Sequence, residues 1–236
     1  MPLSLGSFDV IAEIKQRSHA EGKLGVSHPN NQSKGVSHLI SRARDYEAAG
    51  AAAISVLTEP SRFDGELSHL EEVVEAVPGT PVMRKDFLVE PAQVLEGRKA
   101  GASGVLLITT MLSDAKLRAM LDCAFEHGMF VLLESFDEED LMRSAGFLDA
   151  DGDLLIGVNT RNLRTLEVDP ERLQRLAPLL PDAKCVAESG LRVADDAARA
   201  KDWGYSMALV GTALMRSDDP TALIKAMREA GSTGCS

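Results

Sequence analysis

Eight short apolar runs recur along the sequence at a nearly fixed interval, and that interval limits the possible folds more than any other feature. The runs are Val10–Ile14, Ala52–Leu57, Pro81–Met83, Val105–Ile108, Phe130–Leu133, Leu154–Val158, Cys185–Ala187 and Met207–Val210. Their ends fall near residues 15, 57, 85, 109, 134, 159, 188 and 211, so six of the seven spacings lie between 23 and 29 residues and the first is 42. Short, almost unbroken apolar runs suit strands buried on both faces, as parallel sheets require. The segments between them carry helix punctuation. Ser68-His69-Leu70-Glu71 reads as a capping box before a stripe of Leu70, Val73, Val74 and Val77. Pro91 suits a first helical turn that Gly101 closes, and Ser113-Asp114 opens a stripe closed by Gly128. Asp169-Pro170 and Asp219-Pro220 are expected to open two more helices. Eight such units predict an α/β protein, a single-domain (β/α)8 TIM barrel over residues 1–236. A doubly wound sheet would carry a Gly-rich turn after its first strand, and no G-x-G-x-x-G follows Lys15.

The long first interval holds a segment at about 19–37 with several glycines and asparagines and no apolar period, expected to be a loop between the first strand and first helix. Two readings fit it: a lid over the barrel mouth, or an insertion tolerated on the surface.

Composition narrows the class of function. The chain has 236 residues, 44% of them hydrophobic, and 25 Lys plus Arg against 36 Asp plus Glu give a formal charge of −11. Such an acidic surface argues against nucleic acid or an anionic membrane as a partner. No apolar run reaches the roughly 20 residues of a membrane span. The N-terminus lacks the basic region and long apolar stretch of a signal peptide. Three widely spaced cysteines, Cys123, Cys185 and Cys235, read as a reduced protein, so a cytoplasmic location is expected. The five histidines show no ligand spacing, so a zinc site is not expected, and no Walker lysine loop or G-x-S-x-G elbow occurs.

In a barrel of this kind the active site is built at the C-terminal ends of the strands. Those positions hold Glu13 and Lys15, Arg84 and Lys85, Glu134, Asn159 with Arg161, Glu188 with Ser189, and Gly211 with Thr212. Glu13 and Lys15 are two apart and share one face of a strand. Three carboxylates and two lysines converging on one mouth would pull each other's pKa values apart, which separates acids from bases. The general acid is then expected to be a lysine and the base a glutamate. A plug of ion pairs that merely closes the barrel is the alternative. Glu188-Ser189-Gly190 and Val210-Gly211-Thr212 suit a phosphate cradle of backbone N–H groups. A tight turn would account for each glycine equally well. An anion held by so acidic a protein needs cations at the mouth, and Lys15, Arg17, Lys85, Arg161 and Arg192 are placed for it.

The motifs resemble those of the indole-3-glycerol phosphate synthase family, a (β/α)8 barrel of tryptophan biosynthesis. The matching stretches are VIAEIK from Val10, YEAAGAAAISVLT from Tyr46, RKDF from Arg84, LLES from Leu132, GVNTRNLRTLEVD from Gly157, AESGL from Ala187 and LVGTALM from Leu209. The resemblance implies a carbon–carbon lyase that closes 1-(2-carboxyphenylamino)-1-deoxyribulose 5-phosphate to an indole, losing carbon dioxide and water. It implies Lys85 as the acid for closure, Lys15 as the acid for water loss held by Glu13, and Glu134 as the base. Asn159 and Glu188 would then bind substrate hydroxyls and the aromatic amine. Ser189, Gly190, Gly211 and Thr212 would hold the phosphate, helped by Ser18 and Arg161. The implied partner is a phosphorylated small molecule, and the implied assembly a monomer or small homo-oligomer.

Departures from the family pattern lie at the rim. Only 12 residues precede Glu13, where relatives usually begin with a helical extension that touches substrate. The usual R-x-S-P-S-x-G after the first lysine is replaced by Gln16-Arg17-Ser18-His19-Ala20-Glu21-Gly22, and Ser135 stands where valine is common. Strand-end acids and bases kept beside an altered rim also fit a paralogue acting on a different phosphorylated sugar adduct. A barrel that only binds ligand is a third reading.

Overall fold

The computed structural model describes residues 1–18, 22–23, 32–161, 167–169 and 171–233, with side chains described throughout except at 18, 22–23 and 32–37. Eight parallel strands close into a barrel: β1 (Asp9–Ile14), β2 (Ala53–Leu57), β3 (Val82–Lys85), β4 (Gly104–Ile108), β5 (Phe130–Ser135), β6 (Leu154–Asn159), β7 (Lys184–Glu188) and β8 (Met207–Val210). Each pairs with its sequence neighbours, and β1 closes the ring on β8 with Ile11 opposite Leu209. The outer helices are α1 (Gln32–Ala48), α2 (Leu67–Ala76), α3 (Pro91–Lys99), α4 (Asp114–Glu126), α5 (Glu138–Ala145), α6 (Arg172–Leu176), α7 (Ala194–Asp202) and α8 (Pro220–Thr233). Short helical turns at Pro60–Phe63 and Thr212–Arg216 sit on the carboxyl side of β2 and β8. The eightfold strand–helix repeat therefore forms the barrel that the interval predicts.

Three helix starts differ from the sequence pattern. Helix α1 begins at Gln32, so positions 32–37, expected as loop, are helical. The apolar period that identifies α1 resides in Leu39, Ala43 and Tyr46, all buried, and the glycine at 35 obscures where it begins. The rest of the predicted loop lies outside the described residues, apart from a two-residue ribbon pairing Arg17–Ser18 with Gly22–Lys23. Helix α2 starts before Ser68, and its first turn is closed by His69, whose Nδ1 accepts the Glu66 N–H at 3.1 Å. An imidazole thus does what the capping-box carboxylate was expected to do. Helix α6 begins at Arg172 rather than directly after Asp169. Ser113 caps α4 as expected, accepting from the Lys116 N–H, and Pro91 opens α3.

Strand alternation divides the core in two. Outward side chains such as Val10, Ile54, Val105, Val131 and Ile156 pack with the helices. Inward ones, Ile11, Met83, Leu106, Leu132, Val186 and Leu209 among them, fill the barrel. Phe130 lies over Gly104, where a Cβ would come within 2.5 Å of the ring. Leu3 and Leu5 pack against this inner cluster. The register staggers so that inward residues of alternate strands share a level, advancing two positions for every two strands. One level is Ile11, Met83, Leu132 and Val186. Two residues further along the same strands comes Glu13, Lys85, Glu134 and Glu188. Above that level stand Leu57, Ile108, Asn159 and Gly211, and below it Ser55, Leu106, Gly157 and Leu209.

Candidate active site

That charged level is the floor of the barrel mouth. The Lys85 ammonium lies 3.8 Å from Glu13, 3.5 Å from Glu134 and 3.2 Å from Glu188. The three carboxylates are almost wholly buried, and the Lys85 side chain is 14% exposed. Lys15, one turn of the pleat above Glu13, donates to Glu13 Oε1 at 2.6 Å. Both lysines therefore hang from Glu13, one on each oxygen.

The charge states follow from this arrangement. Burial disfavours the Lys85 cation, but Glu188, Glu134 and Glu13 together outweigh it and raise the lysine above its ordinary value. Burial would raise Glu13 too, yet Lys15 and Lys85 hold it below the usual carboxylate range. Glu188 goes the other way: burial first, then the neighbouring Glu134, push its carboxyl well above the ordinary value, against the pull of Lys85. Its Oε1 has no hydrogen-bond partner among the described residues, so burial of this carboxyl is only partly compensated.

Over this floor opens a cavity of about 550 Å³, large enough for a small ligand. Its wall joins charged and apolar surface: Phe63, Phe87, Leu57 and Ile108 contribute carbon, while Asn159, Arg161, Arg192 and Arg216 contribute polar groups. The Asn159 Oδ1 accepts the Arg161 N–H at 2.9 Å, tying the end of β6 to the segment that follows. At the far rim Ser189, Gly190, Gly211 and Thr212 line the cavity together. Ser189 (φ 66°) and Gly190 (φ 85°) are consecutive left-handed residues, the serine strained and the glycine not, and they turn the backbone after β7. Thr160 clamps the turn, donating to the carbonyls of Glu188 and Ser189. Gly211 has a second use, since a Cβ there would strike Glu13 Oε1 and lie 2.9 Å from Lys15 Nζ.

The structure brings Glu13, Lys15, Lys85, Glu134, Asn159, Arg161, Ser189, Gly190, Gly211 and Thr212 to one cavity, with Glu188 in its floor. The Ser18 side chain, His19 and His28 lie outside the described residues. Arg84 is a correction. Though adjacent to Lys85 at the end of β3, it faces the helices, donating to Thr58 Oγ1, the Gln93 carbonyl, Asp86 and Glu96. The period of two sends neighbouring residues to opposite faces. Ser135 likewise faces away from the cavity, so its departure from valine does not alter the binding rim. Arg17 pairs with Asp64 at 3.9 Å, and the Gln16 amide meets His69 Nε2 at 3.1 Å. Phe63, Phe87 and Thr160 were not singled out by sequence. Phe87 carried a signal, being two residues beyond Lys85 on the same face, whereas Phe63 sits in an isolated turn with no period. Among the described residues there is no group of three His, Cys, Asp or Glu side chains suited to a metal ion, and no helix long and apolar enough to cross a membrane.

A closed parallel barrel with an acid–base level under a strand-end cavity defines a (β/α)8 barrel of the enzyme type. The family model described as indole-3-glycerol phosphate synthase matches residues 4–227. The chain belongs to that family, whose members are lyases. It is 44% identical over 219 residues to the indole-3-glycerol phosphate synthase of a Nocardioides species, covering 92% of this chain and 79% of that one. The Methanopyrus kandleri protein of the same name is 41% identical over 232 residues, covering 97% and 86%. Among solved structures, 3-hexulose-6-phosphate synthase from Salmonella typhimurium superposes with a TM-score of 0.69 at 14% identity over 97% of this chain and all of that one. Tryptophan synthase subunit alpha from Legionella pneumophila gives 0.65 at 14%, over 96% and 93%. These two likenesses speak for the fold alone.

Proposed function

We propose that the protein is a carboxy-lyase that converts 1-(2-carboxyphenylamino)-1-deoxyribulose 5-phosphate to indole-3-glycerol phosphate, carbon dioxide and water. The observation that carries this reading is a lysine held cationic by three carboxylates beneath a cavity that is apolar on one side and anion-adapted on the other. The phosphate rests in the turn of Ser189, Gly190, Gly211 and Thr212, with Arg192 and Arg161 adding positive charge. The carboxyphenyl ring lies against Phe63 and Phe87.

In the first step the ring carbon bearing the carboxylate attacks the sugar carbonyl. The carbonyl oxygen takes a proton from Lys85 as the new carbon–carbon bond forms. Carbon dioxide then leaves, and the bonding pair it surrenders restores the aromatic ring. In the last step the new hydroxyl departs as water with a proton from Lys15, while Glu134 takes a proton from the ring methylene carbon beside nitrogen, which leaves the indole double bond. Glu13 holds both lysines in place, one on each carboxylate oxygen, so one side chain sets two proton donors. Asn159 and Glu188 orient the sugar hydroxyls and the amine. No step requires a metal or organic cofactor. The substrate is small, and we infer a cytoplasmic monomer or small homo-oligomer acting on neither nucleic acid nor membrane.

Incubation with the carboxyphenylamino sugar phosphate should produce indole fluorescence matched by one carbon dioxide per turnover. Absence of turnover at high enzyme concentration, with binding of a phosphorylated analogue intact, defeats the reading and favours a paralogue with another sugar adduct.

A further inference from the structure

Gly157 is an interior residue of β6, paired on both sides, to Glu134 of β5 and Val186 of β7. Glycine in such a position weakens a strand. Nothing in the backbone asks for it, because its φ is not among the left-handed glycines. What asks for it is a side chain from the next strand. A Cβ on Gly157 would collide with Oε1 of Glu188 and lie 3.1 Å from Cδ1 of Leu132. Glu188 is 1% exposed, and its other oxygen, Oε2, accepts from Lys85 at 3.2 Å. The carboxyl thus folds sideways over β6, with one oxygen in the space a side chain would fill and the other on the lysine.

We propose that Gly157 is a positioning residue, whose missing side chain is the seat of the Glu188 carboxyl and thereby sets Glu188 against Lys85. The part that concerns turnover rests on the proposed function; the part that concerns the seat does not. The atoms nearest an alanine methyl at 157 belong to the Glu188 carboxyl and the tip of Leu132, side chains rather than backbone, so the fold accommodates it and Glu188 is what moves. Displacement of a reacting group by about 1 Å can lower a rate on the order of 100-fold.

The test pairs two substitutions. A crystal structure of Gly157→Ala should show the Glu188–Lys85 contact broken, and a retained contact overturns the proposal whether or not the wild-type enzyme turns over. Kinetically, Gly157→Ala should lower kcat on the order of 100-fold with KM changed by less than about threefold. Glu188→Asp shortens the carboxylate by one methylene and makes room for the new methyl group. The double variant Gly157→Ala/Glu188→Asp should therefore be no slower than Glu188→Asp alone. Losses that simply multiply in the double variant overturn the proposal, since a merely structural glycine would be blind to the length of residue 188. A wild-type enzyme without turnover removes the proposed function and leaves the crystallographic arm to decide the seat.

Discussion

Two levels of the barrel are drawn from the same four strands and differ by two residues in each. Ile11, Met83, Leu132 and Val186 make one; Glu13, Lys85, Glu134 and Glu188 make the other. Backbone and register are alike, so the main difference between them is side-chain chemistry. The lower level loses nothing by leaving water and stabilises the barrel through packing. The upper level carries three acids around one ammonium, an excess of negative charge largely withdrawn from water. The barrel thus keeps stability and reactivity in adjacent layers, and the upper layer can exist because the lower one holds the strands.

The sharpest break in this comparison is at Lys85. Lys85→Ala should reduce kcat by about a thousandfold or more while the circular dichroism spectrum stays that of a folded barrel. A variant that retains turnover refutes the assignment of Lys85 as the acid for closure. The mirror-image change is Leu132→Ala, two residues before Glu134 and fully buried. It should lower unfolding free energy by about 2–5 kcal/mol in urea titrations, with kcat of the folded enzyme far less affected than by Lys85→Ala. If the order of these effects is reversed, the division of labour between the levels is wrong.

A pH experiment sharpens the contrast further. Glu188 has a folded-state pKa raised above 4.5 by burial and by Glu134. Between 4.5 and that raised value the folded chain holds a proton the unfolded chain has released, so stability falls as pH rises through this window. Glu188→Gln removes the group and should remove this falling component, by up to about 1.4 kcal/mol per pH unit. Glu13 is the opposite case: lowered by its lysines, it contributes stability above 4.5 that is lost on acidification through its folded value. Urea midpoints across pH 4–8 should therefore rise for Glu188→Gln relative to wild type as the pH increases. Parallel curves would mean that Glu188 titrates normally.

Much of this site was legible because it obeys a period. Glu13, Glu134 and Glu188 interrupt apolar strands at their carboxyl ends, and the interval between strands brings them to one mouth. The adjacent pair Arg84-Lys85 shows where the sequence becomes ambiguous: both are strand-end cations, and only the phase of the pleat sends Lys85 in and Arg84 out. The start of α1 was hidden by a glycine, and the cap of α2 by the use of His69 in place of an acid. The seats offered by Gly157 and Gly211 have no local signature. They depend on how a glutamate from a neighbouring strand bends, a cross-strand fact that no single segment carries.

The smallest expected effect lies one residue beyond Glu134, on the other face of β5. Ser135 and Thr109 both bond the Ser144 hydroxyl of α5, at 2.8 and 2.7 Å, in a chain with no exposure to solvent. Ser135→Val removes one link but leaves Ser144 bonded to Thr109, so no buried hydroxyl is orphaned. The loss should be about 1 kcal/mol, the net value of one hydrogen bond, offset in part by the added methyl groups. Because the side chain points at the helix, kcat and KM should stay within about twofold of wild type, a change of less than about 0.5 kcal/mol in transition-state terms. A Ser135→Val enzyme that is as stable as wild type yet markedly slower would show that the back of the strand sets the geometry of Glu134, and that the two faces of β5 are less independent than the pleat implies.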